Sequence, residues 1–183
     1  MRIVAISDTH LKHNDLDVPD GDILIHAGDS TKRGQLEQIE SVNYWLGTLP
    51  HKHKIIIAGN HDFIFQQTPA QARAIITNAI YLEDEEIIIE GLRIYGSPWI
   101  TGLPRWAFNS DHSDIYKIRN KIPDGLDILI THSPPYQILD KMHNGQNIGC
   151  VALRNRLAGM LTPPRLNIFG HIHEAYGKCY TDK

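Results

Sequence analysis

Ile55-Ile56-Ile57-Ala58-Gly59-Asn60-His61-Asp62 is an apolar run that stops on residues able to bind a metal or move a proton. Three consecutive isoleucines read as a strand buried on both faces, the kind found in the middle of an α/β sheet. Asn and His are poor choices for such a strand. At its end they project into the crevice outside the carboxyl ends of the strands, where open α/β sheets hold their ligands. Four other stretches repeat the pattern: VAISDTH (4–10), LIHAGD (24–29), LITHS (129–133) and NIFGHIH (167–173). The candidate site residues are therefore Asp8, His10, Asp29, Asn60, His61, His132, His171 and His173. They are scattered over most of the chain, so only a fold that gathers strand ends gives them a shared purpose.

The surrounding sequence alternates strand and helix. Strands are expected over 2–7, 23–27, 54–58, 127–131 and 166–169. Helices are expected over 35–46, where Leu36, Ile39, Val42 and Leu46 recur at helical spacing, and over 69–79 and 151–161. EIIIE (86–90), Gly91-Leu92 and RIYG (93–96) read as a hairpin, which does not fit one simple parallel sheet. A second sheet packed on the first follows. The loop 97–111 carries Trp99, Trp106 and Phe108, which are either a substrate wall or a satellite core under the loop.

With 183 residues, 42% of them hydrophobic, the chain can bury a sizeable core, and one domain over 1–183 is expected. A formal net charge of -3 gives no electrostatic reason to expect a nucleic-acid polymer or a membrane surface as partner. Met1-Arg2 leads straight into the first strand, and no apolar run approaches the roughly 20 residues that cross a bilayer. A cytoplasmic protein without a leader is the expectation. Cys150 and Cys179 form no CxxC pair and are expected to be free thiols. Of the 11 histidines, His13, His51, His53 and His112 lie in polar stretches and are expected to be solvated. His26, inside a strand, reads as a satisfied core histidine or as a group behind the ligands.

Two divalent cations need a bridging anion, capping ligands and open positions for water and substrate. Asp29 is the natural bridge, because a carboxylate has two oxygens to share and Gly28 lets the backbone turn tightly before it. Asp8 and His10 point to one side of an extended chain, and His171 and His173 share that spacing. Asn60 adds a carbonyl oxygen and His132 an imidazole. This oxygen and nitrogen set without thiolate suits manganese, iron or zinc.

Taken in order, DTH, GD, GNHD, THSPP and GHIH resemble the calcineurin-like metallophosphoesterase superfamily from Asp8 to His173. HAGD, WLGTLP, IIIAGNHD, YGSPW, WAFN, DILITHSPP and FGHIHEAYG are similar to its metallophosphoesterase-domain subgroup of small phosphodiesterases. The resemblance implies a four-layer αββα sandwich with two mixed β-sheets. It implies two divalent transition-metal ions, manganese or an iron–manganese pair, with zinc as an option. One would be held by Asp8, His10, Asp29 and His173, the other by Asp29, Asn60, His132 and His171. His61 matches the noncoordinating histidine beside the phosphate, and Asn60, His61 and Trp99 are the candidate substrate contacts. Arg33 matches an arginine that protein phosphatases use on phosphate, but Lys32 replaces the acidic residue before it, so a surface arginine at a helix start is the favoured reading. Only about ten residues follow His173, where relatives continue into further strands. The second sheet is then narrower, exposed or completed by a neighbouring chain, as in a homodimer.

The expected activity is hydrolysis of small phosphodiesters such as cyclic nucleotides by metal-activated water. A phosphomonoesterase or protein phosphatase of the same fold is the alternative within enzymes. A binding scaffold with a degenerate site, as in the retromer subunit of this fold, is the alternative outside them. That last reading predicts lost ligands, whereas every expected position is filled.

Overall fold

The computed structural model describes residues 1–180. β1 (Ile3–Ile6), β2 (Ile23–His26), β3 (His53–Ile56) and β4 (Ile80–Tyr81) form one sheet in that order. Every pairing in it is parallel. β5 (Glu85–Ile89) and β6 (Leu92–Ser97) form the expected hairpin, turning on Glu90 and Gly91, both at positive φ as a two-residue hairpin turn requires. β7 (Ile100–Thr101) and β8 (Asn109–Ser110) make a small parallel pair at the two ends of the aromatic loop. β9 (Ile128–Thr131) then joins β6, and β10 (Leu166–Ile168) joins β9, both parallel, so the second sheet runs β10-β9-β6-β5. The two-sheet expectation holds, with one difference: the first sheet is wholly parallel and only the second is mixed.

The helices are α1 (Leu36–Thr48), α2 (Phe63–Gln67), α3 (Pro69–Ile75), α4 (His112–Asn120) and α5 (Val151–Ala158). Period-two alternation along the strands sorts the core into layers. Val4, Leu24, Ile56 and Ala58 face outward from the first sheet onto Ile39, Val42, Trp45 and Leu46 of α1 and Ile64 and Phe65 of α2. The intervening Ile23, Ile25, Ala27, Ile55 and Ile57 face Ile94, Ile128, Ile130 and Ile168 of the second sheet. On the far side Tyr95 and Leu129 pack on Ile115 of α4 and on Ala152 and Leu153 of α5. The result is helix, sheet, sheet, helix, with each fully buried isoleucine contributing about 1.5–3 kcal/mol.

Two histidines depart from expectation. His51 is buried beside the Pro19 carbonyl, 3.1 Å from its Nε2, and His13 is buried with its ring 5.1 Å from that of Trp45. Both are polar in sequence context but covered by elements distant in sequence. His26 is fully buried, 3.0 Å from Thr9 Oγ1, and burial lowers its pKa to about 4. It is a neutral core histidine that also supports the turn between Asp8 and His10. Cys150 and Cys179 are both free. Among the described residues no helix is long and apolar enough to cross a membrane.

Candidate metal centre

The loops that leave β1, β2, β3, β9 and β10 carry all of the candidate ligands, so both sheets deliver strand ends to one place. Asp8 N–H donates to the Gly28 carbonyl at 2.9 Å, and His10 N–H to the Asp29 carbonyl at 3.0 Å. Gly170 N–H bonds the His132 carbonyl at 3.1 Å. The backbone is forced here: Asp8, His10, Asp29 and His171 sit at φ of 54°, 44°, 55° and 74°. Such conformations cost about 1–3 kcal/mol each in non-glycine residues and persist where the surroundings over-determine them. All four belong to the candidate ligand set.

The side chains fall into groups whose ligand atoms lie within 4.8 Å of one another: Asp8, His10 and His173; Asp29, His132 and His171; and His10, Asp29 and His61. Asn60 joins the second group, its Oδ1 3.0 Å from His132 Nε2. The second and third groups share Asp29, and His10 links the first group to it. The sequence predicts one Asp29 oxygen per cation, but here Oδ1 accepts the His61 N–H at 2.7 Å. Oδ2 alone faces both sides, 3.3 Å from His132 Nε2 and 3.9 Å from His10 Nε2.

Hydrogen bonds behind the rings fix which nitrogen points inward. His132 Nδ1–H donates to the Ala27 carbonyl at 2.9 Å and His10 Nδ1–H to the Thr31 carbonyl at 3.2 Å. Each arrangement leaves the Nε2 lone pair for a cation, the usual device behind metal-binding imidazoles. His61 Nδ1–H likewise donates to the Lys32 carbonyl at 2.9 Å, leaving Nε2 4.0 Å from Asp29 Oδ2. The donor set, the inward nitrogens and the central carboxylate fit a pair of divalent ions.

Close approach requires glycine beside the bridge. A Cβ at Gly59 would stand 2.3 Å from Asp29 Oδ1 and 2.7 Å from the His132 ring. Gly28, at φ 96°, makes the turn before Asp29, as its sequence position predicts. Asp62 is the residue that sequence reasoning missed. It is wholly buried and accepts from Thr31 N–H and Oγ1 (2.9 and 2.7 Å), Ser30 N–H and Oγ (both 3.2 Å) and Gly59 N–H (2.9 Å). It thereby clamps the loop after Asp29 to the loop carrying Asn60 and His61. Burial, and then the charge of Asp29, push its pKa up, while the converging donors favour the ionised form. Its signal was the fourth letter of GNHD, a carboxylate immediately after two site residues.

Burial opposes charge throughout the site, yet the carboxylates stay ionised. His173, His132 and the His171 N–H outweigh burial and hold the Asp8 carboxyl well below the usual carboxylate range. Asp29 is lowered against burial, chiefly by His132. Conversely, Asp29 and Asp8 raise His132 to about 9 although burial lowers it, and Asp8 raises His173. Burial and His132 together lower His171 to about 4. Negative charge that draws a proton onto His132 draws a divalent cation to the same Nε2, so the two compete. Between pH 6 and 8 His171 has no proton to lose and His132 has one. Apparent affinity for manganese should therefore rise about tenfold per pH unit for each proton displaced. Calorimetric titrations across that range, with at least one proton released per chain, would check it; a flat profile would contradict it.

Asp29, Asn60, His61, His171 and His173 open onto a cavity of about 300 Å³ walled by Leu103, Trp106 and Glu174. The aromatic wall is Trp106, whose ring centroid lies 4.3 Å from that of His61. Trp99, the expected substrate contact, is not among the lining residues: its Nε1–H donates to Asp84 Oδ2 at 2.7 Å and its edge packs on Phe108. Lying just past β6, Trp99 packs half-buried against the core, and Phe108 beside it is buried. Arg33 is exposed, as favoured, but its guanidinium carbon stands 5.5 Å over the Trp106 ring, at the rim of the site.

A family model for calcineurin-like phosphoesterases matches residues 1–175. Metallophosphoesterase domain-containing protein 1 of Homo sapiens is 41% identical over 201 residues, covering 96% of this chain and 61% of its own length. A UPF0046 protein of Caenorhabditis elegans is 37% identical over 213 residues, covering 100% of this chain and 53% of its own. The chain thus spans between half and two thirds of these relatives. A solved archaeal phosphodiesterase superposes with a TM-score of 0.42 at 18% identity, over 79% of this chain and 80% of that one. With the family model reaching across nearly its whole length, the chain belongs to the calcineurin-like phosphoesterase family.

Proposed function

We propose that the chain is a dinuclear metal-dependent phosphohydrolase, acting as a phosphodiesterase on small diesters such as cyclic nucleotides. The observation that carries the reading is the place of Asp29 Oδ2 between two ligand groups, 3.3 Å from His132 of one and 3.9 Å from His10 of the other. Asp8, His10, Asp29 and His173 would hold one divalent ion and Asp29, Asn60, His132 and His171 the other. Manganese, an iron–manganese pair or zinc suits these donors. Bound ions of this kind acidify a water and neutralise phosphoryl oxygens. His61 keeps Nε2 at the cavity beside them, in position to give a proton to the departing alkoxide.

The diester reading gains support from the wall. Among the described residues lining the 300 Å³ cavity there is no lysine or arginine, Arg33 standing outside at its rim over Trp106, and Glu174 places a carboxyl group in the wall. A diester brings one negative charge and a monoester close to two, so the monoester would meet this carboxylate at greater cost. An activity panel on metal-reconstituted protein, covering cyclic nucleotides, nucleotide diesters and monoesters, is the test. Monoesters hydrolysed in preference to every diester would favour the phosphatase alternative. No turnover with manganese, iron or zinc would leave the scaffold reading.

Trp106→Ala should raise the KM for aryl and nucleotide diesters by the loss of a stack typically worth ~1–3 kcal/mol, with the smaller change in melting temperature because its ring lies against His61 and Phe63 beside the cavity. Trp99→Ala should instead lower thermal stability, because it removes the hydrogen bond to Asp84 and the packing on Phe108; the fully buried limit for such a loss is about 3–5 kcal/mol. Steady-state kinetics paired with thermal melts of both variants would separate wall from core.

A further inference from the structure

A second, larger cavity of about 520 Å³ adjoins the metal centre and has no part in the account so far. Glu174 lines both spaces. One wall is the loop that leaves His132, and the other is the turn that follows His173, so both walls are direct continuations of candidate ligand segments. The loop wall is built in advance. Asp140, wholly buried, accepts the N–H groups of Gln137 at 2.9 Å and Gly149 at 2.8 Å, and it also holds the Asn147 amide. Lys141 bridges Asn147 across the loop, and Gln137 and Leu139 are held at φ of 62° and 47°. Long irregular loops fixed in this way are usually functional.

The lining mixes apolar and polar groups. Leu139 and Met142 offer apolar surface and Asn147 an amide, while Tyr176 is 99% exposed among the described residues. A flat heterocycle on a sugar matches that mixture, with a face for Tyr176 and polar edges for the amide, and the volume is in the range of small-ligand sites. Orientation follows from His61. Its ring lies against Trp106, so the proton it donates goes to an oxygen on the Trp106 side, and the departing group sits there.

We propose that the 520 Å³ cavity holds the ester group that stays on phosphorus, a nucleoside-sized group with a planar ring; this rests on the diesterase reading above. In the reaction, water supplies the oxygen of the new bond to phosphorus. The bond to the ester oxygen on the Trp106 side breaks, that oxygen takes a proton through His61, and the ester oxygen facing Tyr176 keeps its bond. For a linear diester specificity then divides, Trp106 selecting the departing group and the Tyr176 wall the retained one; in a cyclic nucleotide both oxygens belong to one nucleoside and the Tyr176 wall selects it.

The test uses two substrates with one leaving group, thymidine 5′-(p-nitrophenyl) phosphate and methyl p-nitrophenyl phosphate, on the manganese-loaded protein. Tyr176→Ala should raise KM for the thymidine ester about tenfold more than for the methyl ester. Thymidine 5′-methylphosphonate, which has the retained group and no departing one, should bind the variant about tenfold more weakly by calorimetry. An unchanged ratio of KM values with unchanged phosphonate binding overturns the assignment while hydrolysis stands. If the native protein turns over neither ester but Tyr176→Ala still weakens phosphonate binding, the cavity assignment stands and the diesterase reading fails.

Discussion

Asp29→Asn is expected to deplete both metal positions together. Asp29 is 2% exposed, its Oδ1 holds the His61 N–H, and its Oδ2 lies between His132 of one ligand group and His10 of the other. Removing one partner of a buried charged pair costs about 3–5 kcal/mol, which is roughly 10²–10⁴-fold in metal affinity. Asparagine keeps the shape and loses the charge, so metal content should fall at both positions, with activity following it. A second readout does not depend on activity. In metal-free protein the folded-state pKa of His132 is raised to about 9, first by Asp29. A raised histidine contributes stability that is fully present below its unfolded value of about 6.5 and is lost as pH climbs through 9. Urea unfolding of metal-free native protein should therefore weaken over that window through this residue, and Asp29→Asn should flatten the slope. Elemental analysis that finds one ion lost and one retained would show that Asp29 serves a single position.

The strands were legible because they are the easiest kind to read. Ile23–His26 and Ile128–Thr131 are buried on both faces, as is the second half of His53–Ile56, and their apolar runs end abruptly at residues a core does not tolerate. The helix α4 was not legible from periodicity, since HSDIYKIRN buries only Ile115 and Arg119, whose guanidinium donates to Ser97 Oγ and the Trp99 carbonyl. Its start was marked all the same: Asp111 caps it, accepting the N–H groups of Ser113 and Asp114 at 2.9 and 2.8 Å. The candidate ligands could be named because His, Asp and Asn at strand ends form a narrow chemical alphabet. The residues around that set speak a wider one. Asp62 reads in sequence as one more polar residue after His61, and only the loops that fold over it make it the acceptor for three backbone amides. Trp99 and Trp106 are similar in sequence. Which one faces the cavity depends on Asp84, brought to Trp99 by the hairpin.

His61→Gln should separate catalysis from metal binding at neighbouring residues. Asn60 and His61 follow the same strand, yet Asn60 Oδ1 turns to His132 while the His61 ring is held by the Lys32 carbonyl against His10 and Trp106. With Nδ1–H engaged, the proton His61 can deliver is the one on Nε2 of the imidazolium. Glutamine fills similar space and cannot supply that proton. Turnover should fall ~10²–10⁴-fold, the contribution typical of a positioned general acid, while metal content stays at two ions per chain. The loss should be smaller for a p-nitrophenyl diester, whose departing oxygen needs little protonation, than for an alkyl diester. The alternative is on the same map, since His10, Asp29 and His61 also lie within ligand distance of one another. If His61→Gln loses metal in parallel with activity, His61 is a ligand; if the loss is equal for aryl and alkyl diesters with metal retained, it orients the phosphoryl group and donates no proton.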